Sequence, residues 1–201
     1  MPRIIGLTGN IACGKTSVGH HLLELGAERY IDADAIVHQL YESGRPIALQ
    51  VAQAFGPTVI AASGSVDRKA LGAIVFNDPA ALQRLERIVH PAVSIALKGE
   101  LALVSASGIA IIDAVKLLEA ESGKLCQSKW LIICSEEEQL RRLMARNGFS
   151  MDEACARIIA QPDVSSKYAL VDEILDNSGS LQEIRQQTAV AFERFCQKFS
   201  G

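Results

Sequence analysis

The chain has 201 residues, 49% hydrophobic and 21% charged, with a net charge of −3; this suits one domain with a buried core. No basic run or stripe marks a nucleic-acid surface, and no apolar stretch reads as a membrane span or a secretory signal. The five cysteines, Cys13, Cys126, Cys134, Cys155 and Cys196, form no Cys-x-x-Cys pair and have no histidines at zinc spacing, so reduced thiols and a cytoplasmic location are expected.

The first apolar run, Arg3 to Leu7, reads as a buried strand. Thr16 to Leu25 follows with helical spacing at Val18, Leu22, Leu23 and Leu25, and Gly26 stops it. In YIDADAIVHQLY a short strand ends near Ile31, and a helix starts around Ala33. Helices are expected from Pro46 to Phe55, after Asp67 and after Asp78, with a further long helix from Pro91. GIAIID (108–113) and KWLIIC (129–134) are buried strands. Ser135 caps the next helix, Ser150 and Glu153 form a capping box for another, and VDEILD supplies a last strand. The C-terminal helix carries Leu181, Ile184, Ala191, Phe195 and Phe199 on or near one face. Strands alternating with helices imply an α/β fold, a parallel sheet with helices on both faces.

Between the first strand and the first helix stands GNIACGKT, a full match to the Walker A pattern. Gly9 and Gly14 let the backbone turn so that successive N–H groups face inward. With the helix N-terminus behind them, they make a cradle for polyphosphate. The nucleotide-contacting set is then Gly9, Ile11, Ala12, Cys13, Gly14, Lys15, Thr16 and Ser17. Lys15 would reach the β- and γ-phosphates, and the Thr16 hydroxyl would bind Mg²⁺. Cys13 is either an oxidation-sensitive thiol beside a lysine and a helix N-terminus, or a small residue that fits. The chain has no guanine-reading Asn-Lys-x-Asp element and is short for a motor, so a small kinase leads. The attacking hydroxyl must lose or align its proton, and in many kinases a carboxylate near the γ-phosphate does this. Asp32 and Asp34 follow the second strand, at the sheet edge where ligands bind, and could share a face if the strand continues to Asp34. One of the two caps the next helix and the other is left for chemistry.

The segments GLTGNIACGKTSV, IDADAIVHQL, VDRKAL, LERIVHP, LMARNGFS, ARIIAQP and ILDNSGS occur in that order. Together they resemble the dephospho-coenzyme A kinase family over nearly the whole chain. The resemblance implies a P-loop kinase core of five parallel strands with an inserted helical acceptor-binding region and a lid. It implies one kinase domain over 1–201: core about 1–32, 108–146 and 168–201, acceptor region about 33–107 and lid about 147–167. The activity it implies is transfer of the ATP γ-phosphoryl, with Mg²⁺, to the ribose 3′-hydroxyl of dephospho-CoA. No nucleic-acid or membrane partner is implied, and the oligomeric state is open, a monomer among the possibilities.

Carried over by position, the resemblance makes Asp34 the catalytic base and Asp32 its support, or an aid to ordering Mg²⁺-bound water. Arg68 and His90 fall in the acceptor region, although His90 also reads as a helix N-terminal residue before Pro91. Arg142 and Arg146, one helical turn apart, would neutralise the transferring phosphoryl and pack over adenine; the alternative is a solvated basic face. Asn177 matches a nucleotide-side turn, or is a plain turn asparagine. Asp113 has a Walker B-like layout and either holds Mg²⁺ through water or caps the following helix. Two departures stand out. Ala12 and Cys13 replace the family's usual glycine and serine, and the added methyl implies a backbone at Ala12 that is not left-handed. After the third strand, Lys116 takes the place of a common proline, with Glu119 as the nearby acid. Outside the family, the alternatives are another small-molecule kinase, acting on a nucleoside or nucleotide, and a nucleotide-binding module without turnover.

Overall fold

The computed structural model describes residues 2–76 and 78–199. Five short runs form the strands β1 (Arg3–Thr8), β2 (Arg29–Asp32), β3 (Ile109–Asp113), β4 (Ser128–Ile133) and β5 (Glu173–Asp176), in the order β2-β3-β1-β4-β5. β1 pairs in parallel with β3 and β4, Leu7 lying opposite Asp113 and Trp130, and β4 pairs in parallel with β5. The central strands are apolar on both faces because helices cover both; every residue of β3 is buried. The strand pattern implies a parallel sheet with helices on both faces, and the family resemblance implies its five strands; both are found here.

The chain divides into two compact units, 1–31 with 103–201, and 32–102. In the first, α1 (Lys15–Glu24) packs against α9 (Leu181–Gln197). Val18 and Leu22 of α1, Ile184, Ala191, Phe192 and Phe195 of α9, and Ile5, Leu7, Ile111, Trp130 and Ile132 of the sheet make one core. Leu181, expected on the buried face of α9, is 63% exposed. It stands in the first turn beside Ser180, whose hydroxyl caps the helix in a reciprocal box with Glu183, so that turn is held by polar bonds instead of packing. Between β3 and β5 lie α6 (Glu121–Lys124), α7 (Glu136–Asn147), capped by Ser135, and α8 (Met151–Ile159), with the expected Ser150–Glu153 box; a 3₁₀ segment, Val164–Leu170, then leads into β5. Among the described residues, no helix is long and apolar enough to cross a membrane.

The second unit is helical: α2 (Ala33–Leu40), α3 (Pro46–Phe55), α4 (Arg68–Val75) and α5 (Pro79–Leu101). Tyr41, Ile47, Val51, Val59, Leu71 and Val89 belong to a core of its own. Asp67 and Asp78 cap α4 and α5 through their side chains, as their positions imply. The helix expected to begin at Pro91 does not begin there: α5 runs through Pro91 without a break. Proline removes one backbone donor but does not forbid a helix whose flanks are packed, and Val89 and Leu97 on either side are buried. His90 is therefore an exposed mid-helix residue, and its reading as a helix N-terminus falls.

Candidate active site

β1 ends at Thr8 and α1 starts at Lys15, so the intervening residues must reverse direction in a few steps. Gly9 and Gly14 have φ of 147° and 96°. A Cβ on Gly9 would run into the Ile132 carbonyl, and one on Gly14 into the Asn177 amide; both positions need glycine. The loop carbonyls are tied from outside. Gln139 Nε2 donates to Ile11 O (3.0 Å) and Asn177 Nδ2 to Cys13 O (2.8 Å). Arg142 reaches the Ala12 and Cys13 carbonyls at 3.5 and 3.4 Å, and donates to Asn177 O at 2.8 Å. In a trans peptide the next N–H points opposite to its carbonyl. Outward carbonyls at Ile11 and Cys13 therefore turn the amides of Ala12 and Gly14 inward. Gly14 offers no capping side chain, so the first amides of α1 are left for a ligand. Lys15 Nζ lies across the loop on Gly9 O (3.0 Å) and Asn10 O (3.4 Å).

Ala12 corrects an expectation. Its φ is +58°, the only positive φ among the described non-glycine residues. The left-handed turn is kept although the residue has a Cβ, because Arg142 and Cys134 Sγ (4.0 Å) approach its carbonyl and its neighbours are pinned. Cys13 is 1% exposed, and burial raises its pKa despite the nearby Lys15 charge, so the thiol is a packing residue and not a thiolate. The Cys134 thiol is likewise pushed up to about 11 by burial.

Ala12, Gly14, Lys15, Thr16 and Ser17 line a cavity of about 580 Å³ with Arg141, Arg142, Ala145 and Arg146 of α7. Arg142 and Arg146 do share the face that borders the loop. Arg142 is partly committed, since its Nε also pairs with Glu138 at 3.0 Å. Glu138 is shared with Arg141, whose hydrogen bond holds its carboxyl below the usual range. Arg146 is exposed and bonds Asn147 Oδ1 (2.9 Å).

Asp113, 5% exposed, ends β3, and Tyr30 donates its hydroxyl to Oδ2 at 2.5 Å. The reading of Asp113 as a helix cap is overturned. The next helix, α6, starts at Glu121, after a turn that carries the exposed Lys116 and Glu119. A magnesium ion suits this donor set: it takes few protein ligands, keeps waters and relies on substrate phosphates. The exposed Thr16 hydroxyl at the start of α1 and one carboxylate at the sheet edge provide that, and no cluster of three metal-ligating side chains exists among the described residues.

In the second unit the two acids occupy different local positions. The strand ends at Asp32, whose Oδ1 accepts from Ala35 N (2.8 Å) and caps α2. Asp34 is the second residue of that helix, so the two acids do not alternate on one strand face as expected. Arg68 is exposed at the start of α4.

A family model described as dephospho-CoA kinase matches residues 3–183. A dephospho-CoA kinase of Carboxydothermus hydrogenoformans is 41% identical over 194 residues, 96% of this chain and 94% of that one. One of Symbiobacterium thermophilum is 42% identical over 196 residues, 96% and 82% of the two chains. The solved structure of TT1252 from Thermus thermophilus superposes with a TM-score of 0.81 at 32% identity, covering 100% of this chain and 99% of the other. The chain belongs to the dephospho-CoA kinase family.

Within this member of the dephospho-CoA kinase family, the first unit gathers the loop, Arg142, Arg146, Asn177 and Asp113. Four polar residues there escape a reading of the sequence. Gln139 and Tyr30 act on the loop and on Asp113, as above. Gln161 Oε1 accepts from Ile11 N at 2.6 Å. Lys167 is buried in the 3₁₀ segment. Gln161 stands in ARIIAQP, one of the family-like segments, and that was its one signal; the others lie in stretches whose pattern shows only helix, strand or loop.

Proposed function

We propose that this chain transfers the γ-phosphoryl of ATP, with Mg²⁺, to the ribose 3′-hydroxyl of dephospho-CoA, the final step of coenzyme A synthesis. Membership of the dephospho-CoA kinase family carries the acceptor, and the loop whose carbonyls are held outward by Gln139, Asn177 and Arg142, with Lys15 across it, carries the phosphate side. Amides oriented before the ligand arrives stabilise phosphate charge without reorganising, and phosphoryl transfer asks for little else than positioning and charge. Lys15 and the loop amides hold the phosphate chain. Arg142 and Arg146 border it, and Asn177 serves by fixing the loop from behind. Asp34 takes the proton from the attacking hydroxyl, while Asp32 keeps the start of α2 in place. Thr16 would hold Mg²⁺, with Asp113 ordering its water; when bound, the ion neutralises charge on the phosphate oxygens. Residues 33–107, with Arg68 and His90, are the acceptor region, and 147–167 the lid. Five free cysteines accord with a cytoplasmic setting.

The test is release of ADP from ATP with dephospho-CoA, without it, and with a panel of nucleosides, nucleotides and sugar acids. Release that depends on dephospho-CoA is expected. Release driven better by another acceptor would reassign the substrate, and nucleotide binding without release would make the chain a non-catalytic module.

A further inference from the structure

We infer that Lys167 is a catalytic cation of the phosphoryl-transfer site, donating to an anionic oxygen of the outer phosphate of the bound nucleotide; this rests on the phosphotransferase reading above. Lys167 lies in the 3₁₀ segment Val164–Leu170 and is 6% exposed. Its Nζ has one acceptor, the Val115 carbonyl at 3.4 Å, and no ion pair among the described residues. An ammonium has three donors and is strongly hydrated in water. Burying it against one long bond to a neutral oxygen is costly unless an anion joins it.

The position says which anion. Val115 O also accepts from the fully buried Thr8 hydroxyl at 3.0 Å. Thr8 ends β1, directly before Gly9, and Val115 lies two residues beyond Asp113 at the end of β3. The ammonium is thus one shared oxygen away from the start of the phosphate loop, at the carboxyl edge of two neighbouring strands, where an open parallel sheet holds ligands. The stretch that delivers it is anchored to the loop at its other end. Gln161 Oε1 takes the Ile11 N–H at 2.6 Å, and Asn10 Nδ2 reaches Pro162 O at 3.4 Å. Residues 161–167 therefore run from the rim of the loop to the strand edge and bring a single buried charge with them. A pin for the Val115 carbonyl alone would not need that charge, since a neutral donor would serve.

Lys167→Met separates the two roles. Removing a buried charge in favour of an apolar chain of similar length leaves folding stability equal or higher. Loss of a cation from the transferring phosphoryl lowers kcat by about 10²-fold or more. The expected result is an unchanged or raised urea midpoint, kcat down by that factor with a smaller change in the KM for dephospho-CoA, and weaker binding of ADP with aluminium fluoride but not of ADP alone. A Met variant with kcat within threefold of the unsubstituted chain overturns the inference. If that variant does not fold, Lys167→Gln, still able to donate to the Val115 carbonyl, takes the same measurements: lost kcat supports the role, retained kcat removes it. Acceptor-dependent ADP release by the unsubstituted chain is measured first. Its absence sinks the kinase reading, whereas its presence beside a fully active Met variant sinks the Lys167 role alone.

Discussion

Ala12 holds a left-handed backbone in a loop where glycine would hold it without strain. An L-residue in that region costs roughly 1–2 kcal/mol, and glycine in its place gives back about 0.4–1 kcal/mol through the freer unfolded chain. Strain relief is the larger, so Ala12→Gly is expected to raise stability by about 0.5 kcal/mol, read as a higher urea midpoint at unchanged m. The Cys13 thiol is buried with a raised pKa, so it should resist alkylation at neutral pH whether or not ATP is present. Protection by ATP would mean that the thiol is accessible after all. Asp34 and Asp32 divide along the same line of local bonding. Asp32 spends an oxygen on the Ala35 amide, and Asp34, the proposed base, stands in the first turn of the same helix. Asp34→Asn should lower kcat by about 10²-fold or more with ATP affinity little changed, measured by steady-state kinetics beside nucleotide titration. Turnover near that of the unsubstituted chain would remove Asp34 from the role.

At the scale of elements, caps were the most legible feature and packed interruptions the least. Asp67, Asp78, Ser135 and Ser150 each cap the helix that their position implies, because a cap needs only its own helix. Pro91 was misleading for the opposite reason: whether a proline ends a helix depends on what packs beside it. α9 shows both effects. Its first turn has Leu181 in solvent and rests on the Ser180–Glu183 box. Ser180→Ala should therefore cost about 1 kcal/mol, seen as a lower urea midpoint. A loss well under 0.5 kcal/mol would mean that the packing of Ile184 onward holds the turn unaided.

For the whole molecule, the acid limb of stability follows from exposed carboxylates held by partners. Hydrogen bonding to His21 lowers the Glu24 pKa, to Ser105 that of Glu28, and to Arg141 that of Glu138; serine bonds do the same for Glu153, Asp163 and Glu183. Each folded-state pKa lies below the ordinary value, 4.5 for the glutamates and 3.8 for Asp163, so each contribution is complete above that value and is lost as pH falls through the depressed one. Urea midpoints should be flat from pH 7 to about 5 and drop steadily below about 4; a flat profile down to pH 3 would refute the assignment. The sequence by itself determined the α/β pattern, the phosphate loop, the caps and the kinase class, because strand runs, a glycine-spaced loop and helix caps are local and their residues are neighbours in the chain. Tertiary structure alone decided that Gln139 and Asn177 turn the loop's carbonyls outward, that Ala12 accepts a left-handed turn, that Tyr30 bonds Asp113, and that Lys167 is buried against the Val115 carbonyl just beyond β3. Those bonds join residues far apart in the chain, and a polar side chain carries no periodicity that names its distant partner.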